Sequence, residues 1–96
     1  MKVNQIKNLI EKNFNLLSDK YSVKELGVFG SVARGENTKS SDIDILVEFT
    51  EPIGFFKFVE LENFLSEILG GKVDLISKKA LKPAIKEDVL GEVIYV

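Results

Sequence analysis

A chain of 96 residues, 45% apolar and 29% charged, has the composition of a globular protein, and this length predicts one domain, residues 1–96, with a single core. Fifteen acidic against 13 basic residues leave a formal charge of −2, which predicts no broad electrostatic grip on nucleic acid. The absence of Cys and His excludes disulfides, thiol nucleophiles, thiolate metal sites and imidazole bases, so acid-base or metal chemistry falls to carboxylates, Lys, Tyr or water. No run of about 18 apolar residues is available to span a membrane. The N-terminus, MKVNQIKNLIEKNF, lacks the apolar stretch of a secretory signal, and a cytoplasmic location is expected.

Along the chain, Val3, Ile6, Ile10, Phe14 and Leu17 recur at helical spacing and predict an amphipathic helix over residues 3–18 that packs on a sheet. Ser22 to Phe29 reads as a first strand. Gly30-Ser31 follows as a turn: Gly30 permits positive φ and close backbone approach, Ser31 is a favoured helix N-cap, and Val32-Ala33-Arg34 begins a short helix. Free N–H groups at such a helix start, with the hydroxyl, suit an anion, and the forked guanidinium of Arg34 suits phosphate oxygens. Arg34 has a plainer reading too, as a surface ion pair with nearby carboxylates. Residues 36–41, ENTKSS, are turn formers, either beside a nucleotide or as a solvated connection.

The second apolar run opens on Asp42 and Asp44. Residues i and i+2 of a strand share a face, separated by roughly 7 Å, so these two carboxylates project together while Ile43, Ile45, Val47 and Phe49 project from the other face. Like charges so close raise each other's pKa, and a divalent cation between them removes the penalty. Mg²⁺ favours one or two carboxylates plus waters and substrate phosphates. This DxD therefore suggests a metal–nucleotide site.

Beyond it, Glu51-Pro52-Ile53-Gly54 breaks the pattern, and a second long helix is predicted to about Leu69, with Phe55, Phe58, Leu61, Leu65 and Ile68 as its buried stripe. Phe56, Val59 and Phe64 make it more apolar than one buried face requires, either for a wide core contact or for a partner surface. Gly70-Gly71 ends it. Lys72 to Ser77, KVDLIS, reads as a third strand burying Val73, Leu75 and Ile76, with Asp74 pointing the other way. Pro83 starts a short helix through about Leu90, and EVIYV closes the chain as a short strand. One α/β (α+β) domain, a small mixed sheet covered by helices, is the predicted architecture.

Gly30-Ser31, ten intervening residues and then D-x-D, within GSVARGENTKSSDIDILVEF, closely resemble the signature of the nucleotidyltransferase superfamily that includes DNA polymerase β. The wording GSVARGE and SDIDILVEF resembles its minimal nucleotidyltransferase branch, and KVDLIS and LKPAIKEDVLGEVIYV extend the likeness over most of the chain. The resemblance implies that a hydroxyl attacks the α-phosphorus of a nucleoside triphosphate and releases pyrophosphate. It implies that Asp42 and Asp44 hold one or two Mg²⁺ ions, that Gly30, Ser31 and Arg34 hold the β and γ phosphates, and that Asp74, matching the family's third carboxylate, completes the metal site or accepts the acceptor's proton.

The same resemblance implies a partner. Minimal nucleotidyltransferases of this kind are paired with HEPN-domain RNase toxins and act as their antitoxins, moving AMP from ATP to a toxin tyrosine hydroxyl. Two readings follow: an adenylyltransferase antitoxin in a hetero-oligomer with its HEPN toxin, or a non-catalytic antitoxin whose apolar helix masks the toxin. Retention of all three carboxylates favours the first. Modification of a small molecule is disfavoured, since no second domain is present to form its pocket.

Overall fold

The computed structural model describes residues 1–96. The first helix, α1 (Val3–Tyr21), runs past the predicted end at residue 18. Tyr21 supplies the reason: it is 2% exposed, and its hydroxyl donates to Glu60 Oε2 at 2.8 Å, so the last turn is held by burial as well as by hydrogen bonding. Then come β1 (Val23–Phe29), the five-residue α2 (Gly30–Arg34), β2 (Ile43–Phe49), α3 (Phe55–Leu69), β3 (Val73–Ser77), a 3₁₀ turn (Lys78–Ala80), α4 (Pro83–Glu92) and β4 (Ile94–Tyr95). Gly70, at φ 68°, caps α3 in the left-handed conformation that its position predicts.

The strands form one mixed sheet in the order β3-β2-β1-β4. β1 pairs antiparallel with β2 and with β4, and β2 pairs parallel with β3. A parallel pair needs a crossover, and α3 provides it.

Alternation along the strands sorts side chains between two unequal layers. Ile43, Ile45 and Val47 of β2, with Leu26 and Val28 of β1 and Val73 and Leu75 of β3, bury against Ile6, Ile10 and Leu17 of α1 and Leu61, Leu65 and Leu69 of α3. Each such aliphatic side chain contributes about 1.5–3 kcal/mol on burial. The opposite face carries a smaller cluster of Phe29 and Leu46 against Leu81 and Val89, with Ile76 only partly buried beside it. Asp42, Asp44 and Asp74 belong to this thinly covered side. No helix is long and apolar enough to cross a membrane.

β3 is an edge strand, yet two of its outward N–H groups are not free. Val73 N–H donates to Ser66 Oγ at 3.0 Å and Leu75 N–H to Glu62 Oε2 at 2.8 Å, both acceptors lying on α3. These bonds block edge pairing, and they pin the strand on either side of Asp74. Replacing Glu62 with Ala is expected to lower stability to urea by about 1–2 kcal/mol, the cost of leaving that donor unpaired. Glu62→Gln, which keeps an acceptor oxygen, is expected to lose less. An unchanged unfolding midpoint in Glu62→Ala would contradict this anchor.

Candidate active site

The site is built by strand register. Asp44 lies opposite Phe29 across the β1–β2 pair and opposite Asp74 across the β2–β3 pair. Neighbouring strands lie about 4.8 Å apart, so Asp44 and Asp74 are lateral neighbours on the open face. Asp42 stands two residues earlier, just ahead of β2, where Ile43 N–H donates to the Lys72 carbonyl at 2.8 Å and ties the strand's start to β3. Lys72 Nζ lies 4.0 Å from Asp42 Oδ2, an exposed and therefore weak ion pair.

Gly30 completes the enclosure. It leaves β1 at φ 72°, and a Cβ built there would collide with the Asp44 carboxylate. Only glycine allows the backbone to pass so close over that side chain. The expected turn is present, but Ser31 is not its cap. The helix begins at Gly30, with Phe29 in the capping position and no side-chain cap, so Ser31 falls on the second residue of α2. The physical reason is that Gly30, left-handed at φ 72°, itself makes the turn out of β1, so Ser31 enters α2 already inside its first turn.

Burial, first, and then the neighbouring Asp74 and Asp42 push the Asp44 carboxyl above the usual aspartate range, with Arg34 pulling the other way. The like-charge cost foreseen from the DxD spacing is thus borne by Asp44, the most enclosed of the three carboxylates. No three acidic side chains are drawn together into a closed cage for a metal ion. The layout instead offers carboxylates along one open rim, which suits an ion that takes part of its coordination from water and a substrate.

Two of the three expected phosphate-binding residues, Gly30 and Arg34, are already engaged within the chain by Glu92, a residue with no expected functional role. Gly30 N–H donates to Glu92 Oε1 at 2.8 Å, and Arg34 Nη1 donates to Glu92 Oε2 and Oε1 at 3.1 and 3.3 Å. Arg34 Nε also donates to Glu36 Oε2 at 2.9 Å. Glu92 reaches them because α4 continues two residues beyond the expected end at Leu90. In the sequence it opens the expected strand EVIYV, and nothing near it signals this contact.

The apolar residues of α3 divide. Phe58, Val59 and Phe64 are partly buried, and Phe58 and Phe64 pack on the core, whereas Phe55 and Phe56 are 74% and 87% exposed. Phe55 borders a groove of about 380 Å³ with Val47, Phe49, Ile53, Phe58 and Lys78. That groove lies at the C-terminal ends of β2 and β3, away from the carboxylates at their N-terminal ends. The ENTKSS segment forms a self-bonded exposed turn, with Thr38 N–H donating to Ser41 Oγ at 2.9 Å.

Comparison with known proteins agrees with this architecture. The family model described as "Nucleotidyltransferase domain" matches residues 10–96. The chain belongs to that family, and it is a nucleotidyltransferase enzyme. A candidate protein adenylyltransferase of Methanocaldococcus jannaschii is 50% identical over 95 residues, covering 98% of this chain and 97% of that protein. Protein adenylyltransferase MntA of Thermococcus cleftensis is 45% identical over 92 residues, covering 96% and 93%. Among solved structures, a candidate minimal nucleotidyltransferase superposes with a TM-score of 0.81 at 35% identity, covering 98% of this chain and 95% of its own. A complex described as a tri-AMPylated Shewanella oneidensis HEPN toxin with its MNT antitoxin shares the fold at 22% identity and a TM-score of 0.67, covering 94% and 70%.

A raised carboxylate pKa fixes the sign of a stability effect. In the absence of metal, folded Asp44 holds its proton to higher pH than the unfolded chain does, so its contribution to stability falls as pH rises from the ordinary aspartate range of about 3.9 through the raised value. Asp44→Asn is therefore expected to be more stable than the parent protein at pH 7. The difference should shrink as pH drops below about 4. Thermal unfolding across pH in the presence of a chelator measures it, and a variant less stable at pH 7 would contradict the assignment of strain to Asp44.

Proposed function

We propose that this chain is a Mg²⁺-dependent adenylyltransferase that moves AMP from ATP to a tyrosine hydroxyl of a HEPN-type toxin and so acts as its antitoxin. The observation that carries the reading is the register of Asp44, set beside Asp74 and beneath Gly30. A half-buried carboxylate crowded by like charges, next to backbone and guanidinium donors, is the arrangement that a metal-bound triphosphate requires. The relatives described as protein adenylyltransferases support the transfer of AMP to a protein, and the structural neighbour described in complex with an AMPylated HEPN toxin supports the partner class.

The residues divide the task. Asp42 and Asp44 would hold Mg²⁺, which fits their donor chemistry and the strain at Asp44. When bound, the ion supplies charge neutralisation of the triphosphate and of the developing oxyanions. Gly30 N–H, Ser31 and Arg34 hold the β and γ phosphates and favour departure of pyrophosphate. The tyrosine oxygen bonds to the α-phosphorus as the bond from that phosphorus to the bridging oxygen breaks. Asp74 receives the hydroxyl proton or completes the metal site. Most of the acceleration comes from positioning and electrostatics.

A second reading rests on Phe55 and Phe56. Two adjacent phenylalanines so exposed suit a protein contact, and a toxin held there would be masked without any transfer.

Intact mass of the HEPN partner after incubation with this protein, ATP and Mg²⁺ separates the two. AMP-sized increments that vanish in the double variant Asp42→Asn, Asp44→Asn are expected, with a loss of at least about a thousandfold in transfer rate. A stable complex with an unmodified partner would favour masking.

A further inference from the structure

Glu92 is a fourth acidic side chain at the site, and its position invites a role. Its carboxylate accepts from Gly30 N–H at 2.8 Å and from Arg34 Nη1 at 3.1 and 3.3 Å. These are two of the groups assigned above to the triphosphate. An anionic oxygen pair that bridges a backbone N–H and a guanidinium has the contact chemistry of a phosphate. We propose that Glu92 is an affinity-setting residue of the nucleotide site, whose carboxylate occupies the phosphate donors in the free protein and is displaced by the incoming triphosphate. This inference rests on the nucleotidyltransfer reading given above.

The fold holds Glu92 in readiness. It is the last residue of α4, where Val93 N–H closes the helix on the Val89 carbonyl at 3.0 Å. The chain then enters β4, with Val28 opposite Ile94 and with Val96 N–H donating to the Leu26 carbonyl at 2.9 Å. Backbone on both sides is thus fixed, while the side chain remains 30% exposed and so open to an incoming anion from solvent. Its charge also adds to the negative field that raises Asp44. Departure of the carboxylate on nucleotide binding removes both a competitor for the donors and a like charge from the carboxylate rim. Its return after transfer competes with pyrophosphate for the same donors.

Glu36 provides an internal control. It pairs with Nε of Arg34 but touches no backbone donor of the turn. Neutralising it removes a similar charge without emptying Gly30 N–H.

The test is equilibrium binding of ATP, inorganic tripolyphosphate and AMP, each with Mg²⁺, to the parent protein, Glu92→Gln, Glu92→Asp and Glu36→Gln. Glu92→Gln is expected to bind ATP and tripolyphosphate about tenfold more tightly, the scale of one lost charge-assisted contact. Glu92→Asp keeps the charge but shortens the reach, and is expected to tighten both as well. AMP, lacking the β and γ phosphates, should gain little. Equal or weaker ATP binding in both Glu92 variants would overturn the inference while leaving the nucleotide reading intact. An equal gain in Glu36→Gln would also overturn it, since the effect would then be general charge removal. If the parent and the variants all bind neither ATP nor tripolyphosphate, the nucleotide reading falls and this inference with it.

Discussion

Two aspartates on adjacent parallel strands, Asp44 opposite Asp74, are the arrangement on which the rest of this structure depends. Left alone, such a pair opposes folding, because like charges a strand's width apart repel and one of them is partly removed from water. The chain tolerates it because the other side of the same strands carries a strong apolar contact. Ile43, Ile45 and Val47 alternate with the polar positions of β2 and lock into α1 and α3. The core thus holds open a charged rim that the local electrostatics would otherwise relax.

The two faces of the sheet divide stability from chemistry. One is covered by two long helices. The other is covered by α4 and a few side chains around Leu46 and Val89, leaving the carboxylates accessible at one end. Even the edge strand is tied back by side chains of α3 through Val73 and Leu75, so that the residue between them, Asp74, is presented at a fixed place. Positioning of this kind suits phosphoryl chemistry, where correct placement of charge supplies most of the catalysis.

Much of this arrangement was legible in the residues. Period-two alternation in DIDILV separates its acidic face from its apolar face without any tertiary knowledge, and Gly30 announces a left-handed turn. The mixed sheet covered by helices agrees with the expected class. Other features depend on contacts between distant segments, which periodicity does not record. Ser31 looked like a cap because local preference favours it there, but the constraint that decides the turn is the Asp44 carboxylate beneath Gly30. The extra turn of α1 depends on a bond from Tyr21 to Glu60, 39 positions away. Glu92 has the sequence context of a terminal strand, and nothing near it in the chain reveals Arg34 and Gly30. The surplus of phenylalanine in α3 was visible, but which rings lie open depends on where that helix begins relative to the sheet.

The most direct test of the proposed metal–nucleotide site is a crystal structure of the protein with Mg²⁺ and a non-hydrolysable ATP analogue. Metal density against Asp42 and Asp44, with the triphosphate on Gly30 and Arg34, is the expected result. A nucleotide bound elsewhere, with the three aspartates making no contact to metal or phosphate, would contradict the assignment.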